Sequence, residues 1–296
     1  MPEAQQGRGP GVSQQVIDLY DEYTHRPLER RVFLERLAAL AGSVAAALAL
    51  LPVLENDSLF AAQVAPDDAT LDAKRVDDPG ASGKVKGYLA RPKKGDRFPG
   101  VIVIHENRGL NAHIEDVARR AAKAGFLALA PDCLSGVGGT PSDEDQAREK
   151  IGSLDRAAVV ADLKEARRWL ASHKRSTGKV GAVGFCWGGG MVNQLAVADP
   201  GLQAGVVFYG LSPDPAQVPA IHAKLLLHYA GLDERINASV PAYEAALKQA
   251  GVTYTLHRYD GVQHAFHNDT NAARYDAAAA ALAWKRTIDF LNATLA

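Results

Sequence analysis

The sequence is poor in sulfur and has no surplus of either charge. Two of its 296 residues are cysteines, Cys133 and Cys186. Neither stands in a Cys-x-x-Cys pair, which excludes a disulfide framework and a zinc ribbon. Lys and Arg together number 33 against 34 Asp and Glu, a net charge of −1, and the pI lies near 6.8. A protein that holds nucleic acid by neutralising phosphates normally carries a basic excess, so nucleic acid is not an expected partner. With 27 Gly and 15 Pro in the whole chain, a low-complexity sequence is excluded as well. What is there is 47% hydrophobic residue, ample for one large core or two small ones. The composition is that of an ordinary globular enzyme.

The first sixty-odd residues differ from the rest. Residues 1–29 read as polar and irregular. Arg30-Arg31-Val32-Phe33-Leu34 follows, and the stretch from Leu37 to Leu54 passes without a charge. An arginine pair ahead of an apolar, alanine-rich run resembles a twin-arginine export signal, an address read by a receptor. It predicts a leader over residues 1–68, with the export machinery as partner and transient contact with a membrane. The enzyme would then be periplasmic and trimmed between Phe60 and Asp68. Phe60-Ala61-Ala62 or Ala62-Gln63-Val64-Ala65 would supply small residues for cleavage. The alternatives are an uncleaved tether, and a cytoplasmic protein with a helix lying on its catalytic domain. Glu35 departs from the signal pattern, standing where a basic or polar residue is usual.

From residue 69 to 296 short apolar runs alternate with helical patterns. Val85–Ala90, Val101–His105, Phe126–Ala130, Val180–Phe185, Ala204–Tyr209, Ala223–Tyr229 and Thr253–Tyr259 read as strands, most of them bounded by Gly or Pro. Ile114–Ala124, Ala157–Ser172, Met191–Ala198, Val240–Ala250 and Ala272–Leu295 read as helices. Such alternation predicts an α/β fold, a mostly parallel, doubly wound sheet with helices on both faces.

The sharpest motif is Gly184-Phe185-Cys186-Trp187-Gly188, followed by Gly189 and Gly190. A strand running into Gly-x-Cys-x-Gly and then a helix is a nucleophile elbow with Cys in place of Ser. The nucleophile occupies a strained turn, so residues two before and two after it must be nearly free of side chain. The helix N-terminus lowers a thiol's pKa and supports an oxyanion. The chain order of such sites is nucleophile, acid, histidine. Asp233 stands just past one late strand and His264 past the next, which makes them the expected acid and base. Glu234 and Asp260 compete as acid, and His267 as base. Cys133 lacks an elbow and reads as structural; His105 is the one other histidine placed near the site.

The Gly-x-Cys-x-Gly elbow, Asp233 and His264 at these separations, and Glu106 after an early strand resemble the dienelactone hydrolase family of α/β-hydrolases over roughly residues 80–295. The resemblance implies an α/β-hydrolase fold and hydrolysis of an ester or lactone, in the class of the carboxymethylenebutenolidases. It implies that Glu106 contacts the resting thiol and keeps it neutral, and that the backbone N–H groups of Trp187 and Asn107 form the oxyanion hole. The family's carboxylate-binding arginine after the histidine is replaced by Asn268, with His267 before it. His267, Asn268 and Arg108 are therefore candidate substrate contacts, and Arg148 lies near a second family arginine. No cofactor or metal is called for, and a monomer is expected. Two other readings use the same residues: a thiol redox protein working through Cys186, and a non-catalytic binding protein.

Overall fold

The computed structural model describes residues 12–26, 28–55 and 62–296, with the side chains of residues 78 and 79 left aside. Eight strands form one sheet: β1 (Leu71–Gly80), β2 (Gly83–Pro92), β3 (Phe98–Ile104), β4 (Leu127–Pro131), β5 (Ser176–Phe185), β6 (Ala204–Phe208), β7 (Lys224–Ala230) and β8 (Tyr254–Tyr259). Their order is β1-β2-β4-β3-β5-β6-β7-β8. The β1–β2 and β2–β4 pairs are antiparallel, and every other pair is parallel. This is the α/β-hydrolase architecture the sequence led us to expect. The central strands are apolar without alternation because helices cover both faces: β3 from Val101 on, β4 and β6 are wholly buried.

On one face lie α4 (Ala112–Lys123) and α10 (Ala277–Leu295), packing Ile114, Val117, Ala121, Ala283 and Leu291 against the sheet. On the other lie α6 (Arg156–Ser172), α7 (Trp187–Ala198) and α9 (Val240–Ala250), contributing Leu163, Leu170, Val192, Leu195, Tyr243 and Leu247. Two shorter helices, α5 (Glu144–Gly152) and α8 (Glu234–Asn237), sit in the connections after β4 and β7. Strand β1 was not legible in the sequence: Leu71-Asp-Ala-Lys-Arg-Val carries charges because it is an edge strand with one side wet.

Among the described residues the N-terminal region is helical where the sequence suggested an irregular stretch. It forms α1 (Gln14–His25), α2 (Arg30–Ala41) and α3 (Val44–Leu54). Val16, Leu19, Tyr20, Tyr23, Phe33, Leu37, Ala47 and Leu54 close a small core of their own, with Tyr23 stacked on Phe33 at 4.2 Å. The polar residues of α1 lie on its other face, which is the amphipathic pattern hidden by their number. The uncharged run breaks at Gly42, whose φ of 83° ends α2, and the Ser43 side chain caps α3. Among the described residues no single helix is long and apolar enough to cross a membrane; α2 and α3 reach that length only together, bent at 109°.

These helices are fastened to the catalytic domain by charged and polar contacts. The Tyr23 hydroxyl donates to Asp145 at 2.7 Å, Arg30 reaches Asp145 at 2.6 Å, and Arg148 donates to the Tyr23 carbonyl while stacking on its ring. Arg274 donates to Asp21 at 2.7 Å and Asn107 to the Thr24 carbonyl at 2.8 Å. Ala273 N–H donates to the Val53 carbonyl. Val64 and Gln63, in one expected cleavage stretch, bond Asp116, Arg119 and Asp269. The other stretch, Phe60-Ala61-Ala62, lies outside the described residues except for Ala62.

Candidate active site

Strand β5 delivers Cys186 at φ 53°, a left-handed conformation that a non-glycine residue adopts only under constraint. A Cβ on Gly184 would collide with the backbone of Gly188, and one on Gly188 with the carbonyls of His105 and Ile104. The elbow's two glycines are therefore required by close backbone approach. Cys186 is the N-cap of α7, which sets it at the positive end of a twelve-residue helix. Two more non-glycine residues with positive φ, Tyr209 at 40° and Ala265 at 63°, flank the same site. Backbone strain is thus concentrated around the nucleophile position.

Asp233 and His264 come together from the ends of β7 and the loop after β8. His264 Nδ1 donates to Asp233 Oδ2 at 2.5 Å, with both residues buried. The other carboxylate oxygen of Asp233 accepts from the Ile236 amide at 3.2 Å, which fixes the acid at the head of α8. Its competitors Glu234 and Asp260 are exposed. Burial raises the Asp233 carboxyl, but His264 and Arg235 outweigh it and hold it below its usual value. Burial pushes His264 down; Asp233, Cys186 and Asp21 overcome this and lift it to about 10. Burial likewise raises the Cys186 thiol, yet His25 and His264 bring it well below its ordinary range. The site favours a thiolate beside an imidazolium.

The contact to the thiol comes from a residue the sequence did not single out. His25, the last residue of α1, places Nε2 3.2 Å from Cys186 Sγ, and its ring meets that of His264 edge-on at 4.7 Å. Its Nδ1 faces the Asp21 carbonyl at 2.9 Å. No motif marks His25, because the contact spans 161 residues and depends on how α1 docks. The nearest signal was the spacing of Val16, Leu19, Tyr20 and Tyr23, which marks one apolar face of a helix.

Glu106 is placed differently from the expectation. It lines the cleft at Cys186, but its carboxylate accepts from Asn268 at 2.6 Å and from the Tyr209 hydroxyl at 3.4 Å, while the thiol's hydrogen-bond partner is His25. A neutral resting thiol held by Glu106 is not what this arrangement favours. Asn268 is accordingly a holder of Glu106, its own carbonyl accepting from Thr270. His267 is packed against Phe185, Phe208 and Trp284, in the core and not in the cleft. Arg108 does line the cleft, buried and paired with Glu144 at 3.3 Å. Arg148 binds the N-terminal helix. Asn107 lines the cleft with Cys186, and Trp187 follows Cys186 as the first residue of α7; among the described residues the N–H of neither donates to a loop carbonyl. His105 is structural: it stacks on Trp187 and accepts from the Cys133 amide.

Comparison with known proteins bears on the family and the fold. The model of the dienelactone hydrolase family matches residues 85–295, and a second family model, described as YqhI-like, matches residues 11–42. A protein of Methylorubrum extorquens, provisionally named carboxymethylenebutenolidase, is 33% identical over 284 residues, covering 90% of this chain and 96% of its own. A crystal structure from Klebsiella pneumoniae, provisionally titled a dienelactone hydrolase, superimposes with a TM-score of 0.69 at 29% identity, over 75% of this chain and 98% of that one. The dienelactone hydrolase-like promiscuous phosphotriesterase P91, from metagenomic libraries, gives 0.67 at 26% identity, over 77% and 100%.

Proposed function

Because the chain belongs to the dienelactone hydrolase family, we propose that it hydrolyses an ester or lactone with Cys186 as nucleophile, His264 as base and acid, and Asp233 as the group that orients His264. The observation that carries this reading is the buried 2.5 Å bond from His264 Nδ1 to Asp233. It leaves Nε2, which has no hydrogen-bond partner of its own, free to exchange a proton at the elbow. The thiolate attacks the carbonyl carbon, and the oxyanion is received by the N–H groups of Trp187 and Asn107. His264 protonates the leaving alkoxide. It then takes a proton from the water that cleaves the thioester, which releases the acid, expels the Cys186 thiolate and restores the starting thiolate beside the imidazolium.

Substrate entry requires α1 to move. The cleft at Cys186 is about 10 Å³, room for a single water at most. A reacting carbonyl must come within about 3.5 Å of the sulfur, which is where His25 sits. The N-terminal region is then a cover on the site. On the export reading, trimming between Phe60 and Asp68 would carry this cover away with the signal, and the mature periplasmic enzyme would be open where the precursor is closed.

The test is a panel of short aryl esters and lactones offered to the wild type and to Cys186→Ala. Turnover by the wild type that Cys186→Ala lacks supports the reading. Equal turnover by both rejects Cys186, and peroxide consumption without ester turnover favours the thiol redox reading.

A further inference from the structure

Cys186 Sγ, His25 and His264 present one sulfur and two imidazole nitrogens that all lie within 4.8 Å of one another. We propose that the full chain binds a thiophilic divalent cation of the Zn²⁺ type through these three residues, with α1 delivering one of the ligands.

The donor set suits such an ion. Thiolate and imidazole are the preferred ligands of Zn²⁺, and three protein ligands with a fourth position left to solvent is a common arrangement. Zn–S and Zn–N bonds of about 2.3 and 2.0 Å separate tetrahedral ligand atoms by roughly 3.5 Å. His25 Nε2 and Cys186 Sγ stand 3.2 Å apart, so a shift of a few tenths of an ångström admits the ion between them.

The groups behind the ligands point the same way. A metal-bound histidine usually donates its other ring N–H to a carboxylate or a backbone carbonyl. His264 Nδ1 donates to Asp233 at 2.5 Å, and His25 Nδ1 faces the Asp21 carbonyl at 2.9 Å. Both rings are thereby oriented with Nε2 toward the sulfur. His264 Nε2 is buried and has no hydrogen-bond partner, a costly condition that a metal bond relieves.

One consequence follows from the chemistry. The bound ion ties α1 to Cys186. That closes the cleft and stops any reaction at Cys186 until the metal is removed.

The experiment uses purified, chelator-stripped full-length protein titrated with Co²⁺, and the affinity for Zn²⁺ is read by competition with a chromophoric chelator. The expected result is one ion per chain, a thiolate-to-cobalt charge-transfer band in the near ultraviolet, and the visible bands of tetrahedral cobalt. Cys186→Ser should remove the charge-transfer band, and Cys133→Ala should keep it. His25→Ala should weaken binding by more than about 100-fold, beyond the loss that outer partners alone cause. Absence of the thiolate band in the wild type overturns the proposal, and so does unchanged affinity in His25→Ala or loss of the band in Cys133→Ala. Because the readout is optical, failure of ester hydrolysis in the metal-free protein rejects the proposed reaction without touching this result.

Discussion

His25 Nε2 stands 3.2 Å from Cys186 Sγ, which puts the end of the first helix on the elbow cysteine of a fold that begins some fifty residues later. The N-terminal region therefore bears on the site in three ways. It sets the charge around the thiol, it limits the space in front of it, and it brings a second imidazole beside the sulfur. Each has a measurable consequence.

Cys186→Ala is expected to lower kcat/KM for an aryl ester by about 10³-fold or more, since members of such a set act as a unit. Cys133→Ala, at a residue that stands in no elbow motif, should stay within about twofold of the wild type. Activity of Cys186→Ala within tenfold of the wild type would reassign the nucleophile.

Asp233→Asn and His264→Ala are each expected to lose about 10³-fold or more in kcat. His267→Ala should instead lose stability, about 2–4 kcal/mol for an emptied core site, because its ring is packed on Phe185 and Phe208. Thermal unfolding and kcat measured on the same three variants separate the two patterns. A stable, inactive His267→Ala would reverse the assignment of the base.

The thiol's reactivity toward iodoacetamide should already be substantial at neutral pH, because His25 and His264 hold its pKa well below the ordinary value. In His25→Ala one of these two influences is gone, so the alkylation profile should move to higher pH. The limiting rate at high pH should rise at the same time, because the cleft is open. A profile that does not move would show that His25 has no electrostatic hold on the sulfur.

Asp21 ties α1 to Arg274, and its carboxyl is held down at about 2: burial raises it, and His264, Arg274, His25 and Arg235 together outweigh that. A carboxyl depressed in the folded state contributes stability above its unfolded pKa, about 3.9. That contribution is lost as pH falls toward 2. The Tm difference between the wild type and Asp21→Asn should accordingly be constant above about pH 5 and shrink between pH 4 and 2. A gap independent of pH would mean that the pair is not what secures the helix.

Export can be tested apart from docking because the two arginines do different things in this structure. Arg30 binds Asp145 and Glu55, whereas Arg31 pairs only with Glu35, one turn on, among the described residues. Arg31→Lys should leave the fold unchanged. If the pair is a twin-arginine signal, it should also shift the protein from the periplasmic to the cytoplasmic fraction of the native host. N-terminal sequencing of the wild type should then begin between Phe60 and Asp68. An intact Met1 start in the cytoplasm, with or without Arg31→Lys, removes the export proposal.

The catalytic domain was legible from local pattern. Buried parallel strands announce themselves as short apolar runs, and the Gly184-x-Cys186-x-Gly188 elbow is dictated by sterics that act over five residues. The order of Cys186, Asp233 and His264 followed from the strands they terminate. Strand β1 was not legible, since an edge strand with charged residues carries no apolar run. The start of α7 was set at Met191 by the glycines before it, yet the helix begins at Trp187. Glycine's weak helix propensity is overridden there by packing that allows no side chain. The partners of Glu106 and the burial of His267 also depended on which loops meet, and loop geometry leaves little trace in residue pattern. The placement of His25 was decided by tertiary structure alone. Its neighbours in sequence say that α1 is a helix with one apolar face; they do not say what its last turn will touch. That follows from the ion pairs of Asp21, Arg30, Asp145 and Arg274, which are distant in the chain and meet only once the sheet has set their positions.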